Sequence, residues 1–148
     1  MKIPTKYFGE LEIDRSRAIF FPQGIPGFNE EKEFILLDLP DNPVFHVLQS
    51  VGRQSLAFIV TNPYQFRKDY EFELDQSILG ALEIEKQQDV AIFSILSLKD
   101  PFEQSTMNLQ APIVINLKNQ RGKQYITNHK SYSTREPLAA AASSKKED

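Results

Sequence analysis

The chain has 148 residues, 41% of them hydrophobic, a size and composition suited to one globular domain with a single core. Lysine and arginine total 17 against 20 acidic residues, a net charge of -3, which disfavours broad, non-specific binding to nucleic acid. Absence of cysteine excludes disulfides, thiolate nucleophiles and thiolate metal sites, and no run approaches the ~20 apolar residues of a membrane span. Met1 to Lys6 lacks the apolar run of a signal peptide, so the expectation is a cytoplasmic protein with no membrane contact.

Taken in order, Lys2–Tyr7 and Glu10–Asp14 alternate polar with apolar residues around Phe8-Gly9, the pattern of a first hairpin or of a strand bent at Gly9. Ala18–Phe21 is a short buried strand. The following Pro22-Gln23-Gly24-Ile25-Pro26-Gly27-Phe28 holds two prolines and two glycines and reads as an ordered turn pinned by Ile25 and Phe28. A phosphate-cradling loop is rejected there, since no Lys-Ser/Thr follows and no helix opens behind it. Glu33–Leu39, Val44–Ser50 and Leu56–Thr61 form an expected antiparallel meander, and residues 61–68 an irregular corner.

From Asp69 to Asp75 acidic and apolar residues alternate without a break, which is the period of a strand. Asp69, Glu71, Glu73 and Asp75 would line one edge while Tyr70, Phe72 and Leu74 pack inward. Like charges at this spacing cost a few tenths of a kcal/mol each, about the range of a cross-strand pair, unless cations sit opposite. The ladder is therefore either a solvated face that keeps an edge soluble or a docking surface for a basic partner. Asp75 also resembles an N-cap, with Ile78, Leu79 and Leu82 at helical spacing behind it, so the one short helix is expected over Gln76–Leu82.

Val90–Leu98 is β-prone and almost continuously apolar, hence a central strand. Thr106–Gln110 and Pro112–Lys118 are two more, and Asn119–Lys123 is expected to turn around Gly122 into a strand at Gln124–Asn128. About nine or ten strands with one short helix give an all-β, mainly antiparallel fold, a barrel-like or sandwich domain over residues 1–138. Residues 139–148 are a low-complexity C-terminal tail with no apolar periodicity.

Catalytic chemistry is thin. His46 and His129 lie in different elements without a partner spacing and read as a structural and a solvated histidine, so neither metal nor cofactor is implied. Ser131 and Ser133 lack the glycine-flanked elbow of a hydrolase nucleophile, and Glu71 with Glu73 are neighbours on one face rather than a sugar-cleaving pair. Most of the 11 phenylalanines fall on core positions. Tyr7, Phe8, Tyr64, Phe66, Tyr70 and Tyr132 sit at turns or strand ends, where an aromatic ring either packs the core or anchors a partner.

Several segments together resemble the flagellar assembly factor FliW family: Lys6-Tyr7-Phe8-Gly9-Glu10, Phe21 to Phe28, Asp69 to Leu74, Asn108 to Asn116, Gly122-Lys123-Gln124 and Tyr132-Ser133-Thr134-Arg135. The resemblance runs over residues 1 to about 138 and leaves out the alanine-rich tail. It implies a compact β-barrel and a non-enzymatic regulator. Members of that family bind the translational repressor CsrA, away from its RNA-binding surface, and so relieve repression of flagellin mRNA. They also bind flagellin, and the two partners exclude each other. The unbroken ladder makes Asp69, Glu71, Glu73 and Asp75 the residues expected either to supply a phosphate-repelling field beside such a repressor or to dock it directly, with Tyr7, Phe8 and Tyr70 as an apolar anchor. Two other classes stay open on residues alone: a small nucleic-acid-binding β-barrel, which needs a basic groove with stacked aromatics, and a small hydrolase, which needs a deep polar pocket.

Overall fold

The computed structural model describes residues 1–138; the C-terminal tail lies outside the described residues. Strands β1 (Lys2–Thr5) and β2 (Gly9–Glu12) form the expected N-terminal hairpin, with Ile3 paired to Leu11. β3 (Ile19–Phe20) leads into the proline-glycine turn, where Ile25 and Phe28 bridge to each other and Ile25 is buried. Gly24 is required in that turn. Its φ is +67, and a Cβ would lie 2.6–2.8 Å from the backbone of Asn29.

β4 (Glu33–Leu39), β5 (Asn42–Ser50) and β6 (Ala57–Thr61) make the antiparallel meander, followed by a single turn of 3-10 helix at Pro63–Gln65. Helix α1 (Gln76–Ala81) begins where the sequence placed it, the Asp75 carboxylate accepting from the Ile78 N–H at 3.0 Å. β7 (Val90–Ser97), β8 (Thr106–Met107), β9 (Ile113–Asn116), β10 (Arg121–Gln124) and β11 (Glu136–Pro137) complete the set.

β7 closes the sheet, because its C-terminal half pairs with β6 through Val60–Ile95 while its N-terminal half pairs with β9 through Val90–Asn116 to Phe93–Ile113. The ring β3-β4-β5-β6-β7-β9-β10 returns to β3 through one parallel pairing, Phe20 with Arg121, and every other neighbour is antiparallel. The described residues form an all-β barrel with one short α-helix, as expected; β8 and β11 extend it from the end of β7. Closure leaves no free edges in the ring to recruit another chain.

Alternate residues point inward. Phe21, Phe34, Leu48, Val60 and Ile113 form the lumen core, with the Phe21 and Phe34 rings edge-to-face at 5.3 Å. Three smaller clusters coat the outside. The β1–β2 hairpin lays Ile3, Leu11 and Ile13 on Ile35 and Leu37; α1 packs Ile78 and Leu82 on Val114; and residues 66–72 cover the outer face of β5, β6 and β7.

The expectation around Gly122 is corrected. The turn is Leu117–Gln120, with Gln120 at φ 58, and Gly122 lies inside β10, where a Cβ would meet the Phe21 ring at 2.8 Å. Residues 125–129 carry no strand. The glycine serves close approach of a core ring, not chain reversal.

Candidate functional site

The acidic segment is extended but pairs with no strand, which corrects the expectation of a ladder at Asp69–Asp75. The side-chain alternation stands: Asp69, Glu71, Glu73 and Asp75 are exposed, Tyr70 is buried, and Phe72 and Leu74 are half-buried. Extended backbone without a neighbour must still satisfy its polar groups. Here two phenols do so. The Tyr132 hydroxyl accepts from the Glu71 N–H at 2.8 Å and donates to the Glu71 carbonyl at 2.9 Å, and the Tyr125 hydroxyl donates to the Glu73 carbonyl at 3.2 Å.

Beneath the edge, Tyr70 is 4% exposed and its hydroxyl donates to the Leu109 carbonyl at 2.6 Å. Its ring meets Tyr132 at 4.7 Å, Phe72 at 5.3 Å and Tyr64 at 5.5 Å. Burial pushes the Tyr70 phenol well above its ordinary titration range, so it stays a neutral donor. Tyr70 therefore braces the edge from inside. Before the edge, Arg67 donates to the Glu136 carboxylate at 2.6 Å and to the Pro137 carbonyl at 2.7 Å, tying the segment to β11.

Among the described residues none of the four carboxylates has a cationic partner within 4.0 Å. The Asp75 carboxylate is partly committed to capping α1. Next to the edge lies a groove of about 660 Å³ walled by Phe72, Leu74, Leu79, Ile84 and Ile92, with Glu73 and Glu85 also lining it. An apolar trough with an acidic border suits a protein segment carrying apolar side chains between basic ones. Sequence reading missed this groove and the two phenol clamps. The signal for the groove was faint: Leu79 lies off the Ile78–Leu82 face that α1 buries, with Ile84 just beyond.

The other expected anchors lie elsewhere. Tyr7 and Phe8 sit in the β1–β2 turn, Tyr7 49% exposed and Phe8 half-buried, with the Thr5 hydroxyl accepting from the Phe8 N–H at 2.9 Å. No hydrogen bond, ion pair or ring contact among the described residues joins this turn to the acidic edge. His46 Nδ1 lies 3.1 Å from Asp38 Oδ1, and its ring meets Phe93 edge-on at 5.9 Å. His129 stacks on Tyr132 at 4.4 Å. Among the described residues no helix is long and apolar enough to cross a membrane.

Replacing Tyr132 with Phe keeps the ring and deletes both bonds to Glu71. The expected result is a loss of about 1 kcal/mol and faster hydrogen exchange at the Glu71 amide, with the core amides of β5 and β6 unchanged.

Comparison with known proteins agrees with this architecture. The family model described as FliW protein matches residues 2–138. A flagellar assembly factor FliW of Oceanobacillus iheyensis is 52% identical over 134 residues, covering 90% of this chain and 91% of that one. The Bacillus subtilis flagellar assembly factor FliW is 47% identical over 138 residues, covering 93% and 96%. A crystal structure of the flagellar assembly factor FliW superposes with a TM-score of 0.89 at 46% identity, covering 93% of this chain and 96% of the other. On sequence and fold together, the chain belongs to the FliW family of flagellar assembly factors.

Proposed function

We propose that this FliW-family chain is a non-enzymatic, cytoplasmic regulator that binds CsrA, relieves its repression of flagellin mRNA, and binds flagellin in a mutually exclusive switch. It acts through a single domain over residues 1–138, without cofactor, membrane or direct nucleic-acid contact. The supporting observation is the acidic edge: Asp69, Glu71, Glu73 and Asp75 stand exposed, without cationic partners within 4.0 Å among the described residues, on a backbone clamped by Tyr125 and Tyr132. Crowded like charges disfavour the free state, and a basic partner relieves them. A repressor that binds RNA is basic, and an acidic domain seated beside its RNA surface repels phosphates as well as steering association. Tyr7 and Phe8, at the hairpin turn, are the proposed second contact.

The test is calorimetric titration of the protein into CsrA at two salt concentrations, with and without flagellin. Binding that weakens at high salt and disappears with flagellin present is expected. No heat with CsrA at either salt concentration would overturn the reading.

A further inference from the structure

One end of the barrel lumen is open. Ile19 of β3, Leu36 of β4, Ala91 and Phe93 of β7 and Ile115 of β9 line a cavity of about 450 Å³. In the ring β4 and β7 are separated by β5 and β6, so side chains of these two strands share one space only across the lumen. All five face inward: Ile19 and Ile115 belong to the buried core, while Leu36, Ala91 and Phe93 pack against it yet are only half-buried. Inward side chains of a small barrel usually fill it. Here the small side chain of Ala91 on β7 leaves space at this end unfilled.

The mouth also carries a cation. Arg17, in the 3-10 turn Arg15–Arg17, lines the same cavity. Among the described residues Arg17 has no carboxylate within 4.0 Å, whereas its neighbour Arg15 lies 3.7 Å from Glu33. Asp14, the acid of the same turn, accepts from the Ser16 N–H at 3.0 Å and from the Ser16 hydroxyl at 2.6 Å. Those bonds leave the Asp14 charge in place, and it attracts Arg17 from beyond 4.0 Å, so Arg17 makes no direct ion pair among the described residues and can offer its guanidinium to an external anion at the rim of the cavity.

We propose that the barrel mouth binds a small amphipathic carboxylate, its hydrocarbon part in the lumen against Ala91 and Phe93 and its carboxylate on Arg17. The cavity falls within the ~300–1,000 Å³ of small-molecule sites and suits a medium-chain or aryl acid. This site shares no residue with the acidic edge or its groove, so it stands or falls separately from the partner switch.

The probe is decanoate, titrated into isotopically labelled protein and followed by amide chemical shifts, with decanol as the uncharged control. Saturable shifts at Leu36, Ala91, Phe93 and Arg17 are expected, with decanol about tenfold weaker, the difference one charged contact makes. Arg17→Gln should bring decanoate down to the decanol level without altering the melting temperature. Ala91→Leu, which fills the lumen, should abolish binding of both. Shifts that never saturate, shifts centred on the Phe72 groove, or equal binding of decanoate and decanol with Arg17→Gln indifferent would each overturn the assignment.

Discussion

Reversing Glu71 and Glu73 to lysine together is expected to weaken the CsrA complex by about 10- to 100-fold. The edge carries four carboxylates, and the double reversal takes its formal charge from -4 to 0, since two negative charges are removed and two positive ones added. Each exposed pair contributes about 0.2–1 kcal/mol, and two lost attractions with two new repulsions sum to about 0.8–4 kcal/mol, a range whose middle corresponds to the expected fold-change. Both side chains are exposed and neither forms an ion pair among the described residues, so the fold should be unaffected. Association kinetics at low and high salt provide the reading: the slower on-rate and shallower salt dependence should appear together, because peripheral charge acts mainly on encounter. Unchanged affinity and salt slope in a folded variant would remove the acidic edge from the interface.

A large stability effect is expected at Gly122. A valine there would place Cβ 2.8 Å from Phe21 Cζ, 2.9 Å from Cε2 and 3.2 Å from the Ile19 methyl. Phe21 is fully buried and packed edge-on against Phe34, so its ring has no free space to enter. Overpacking of this kind costs about 3 kcal/mol, the upper part of its usual range. In a domain of this size that is about 10 °C in melting temperature, read by thermal unfolding. A variant melting within a degree of the parent would mean that Phe21 is not seated over Gly122. Gly122→Ala, which adds only the first carbon, should give a smaller loss of the same sign.

These two sites illustrate how far sequence reaches. At Asp69–Asp75 the two-residue period correctly assigned each side chain to solvent or core, because that depends only on extended dihedrals and on hydrophobicity. It said nothing of what the backbone bonds to. A strand partner and a pair of tyrosine hydroxyls satisfy the same N–H and C=O groups, and Tyr132 is 61 positions away from Glu71. At Gly122 the composition of the stretch imitated a turn, since glycine is favoured both where φ is positive and where another group comes close. The distinction required knowing that Phe21, a hundred residues earlier, lies across β10.

What the sequence determined by itself is therefore local: the strands of the β4-β5-β6 meander, the Asp75 cap that starts α1, the pinned turn at Ile25 and Phe28, and the exposure of the four acids. Each follows from interactions within a few residues, where periodicity and capping chemistry act. The tertiary structure alone decided that β7 divides its two halves between β6 and β9 and so closes the barrel, that an apolar groove borders the acidic edge, and that the lumen opens beside Arg17. Those features depend on which distant strands share an edge, and a strand's own pattern of inward and outward residues is the same whichever neighbour it takes.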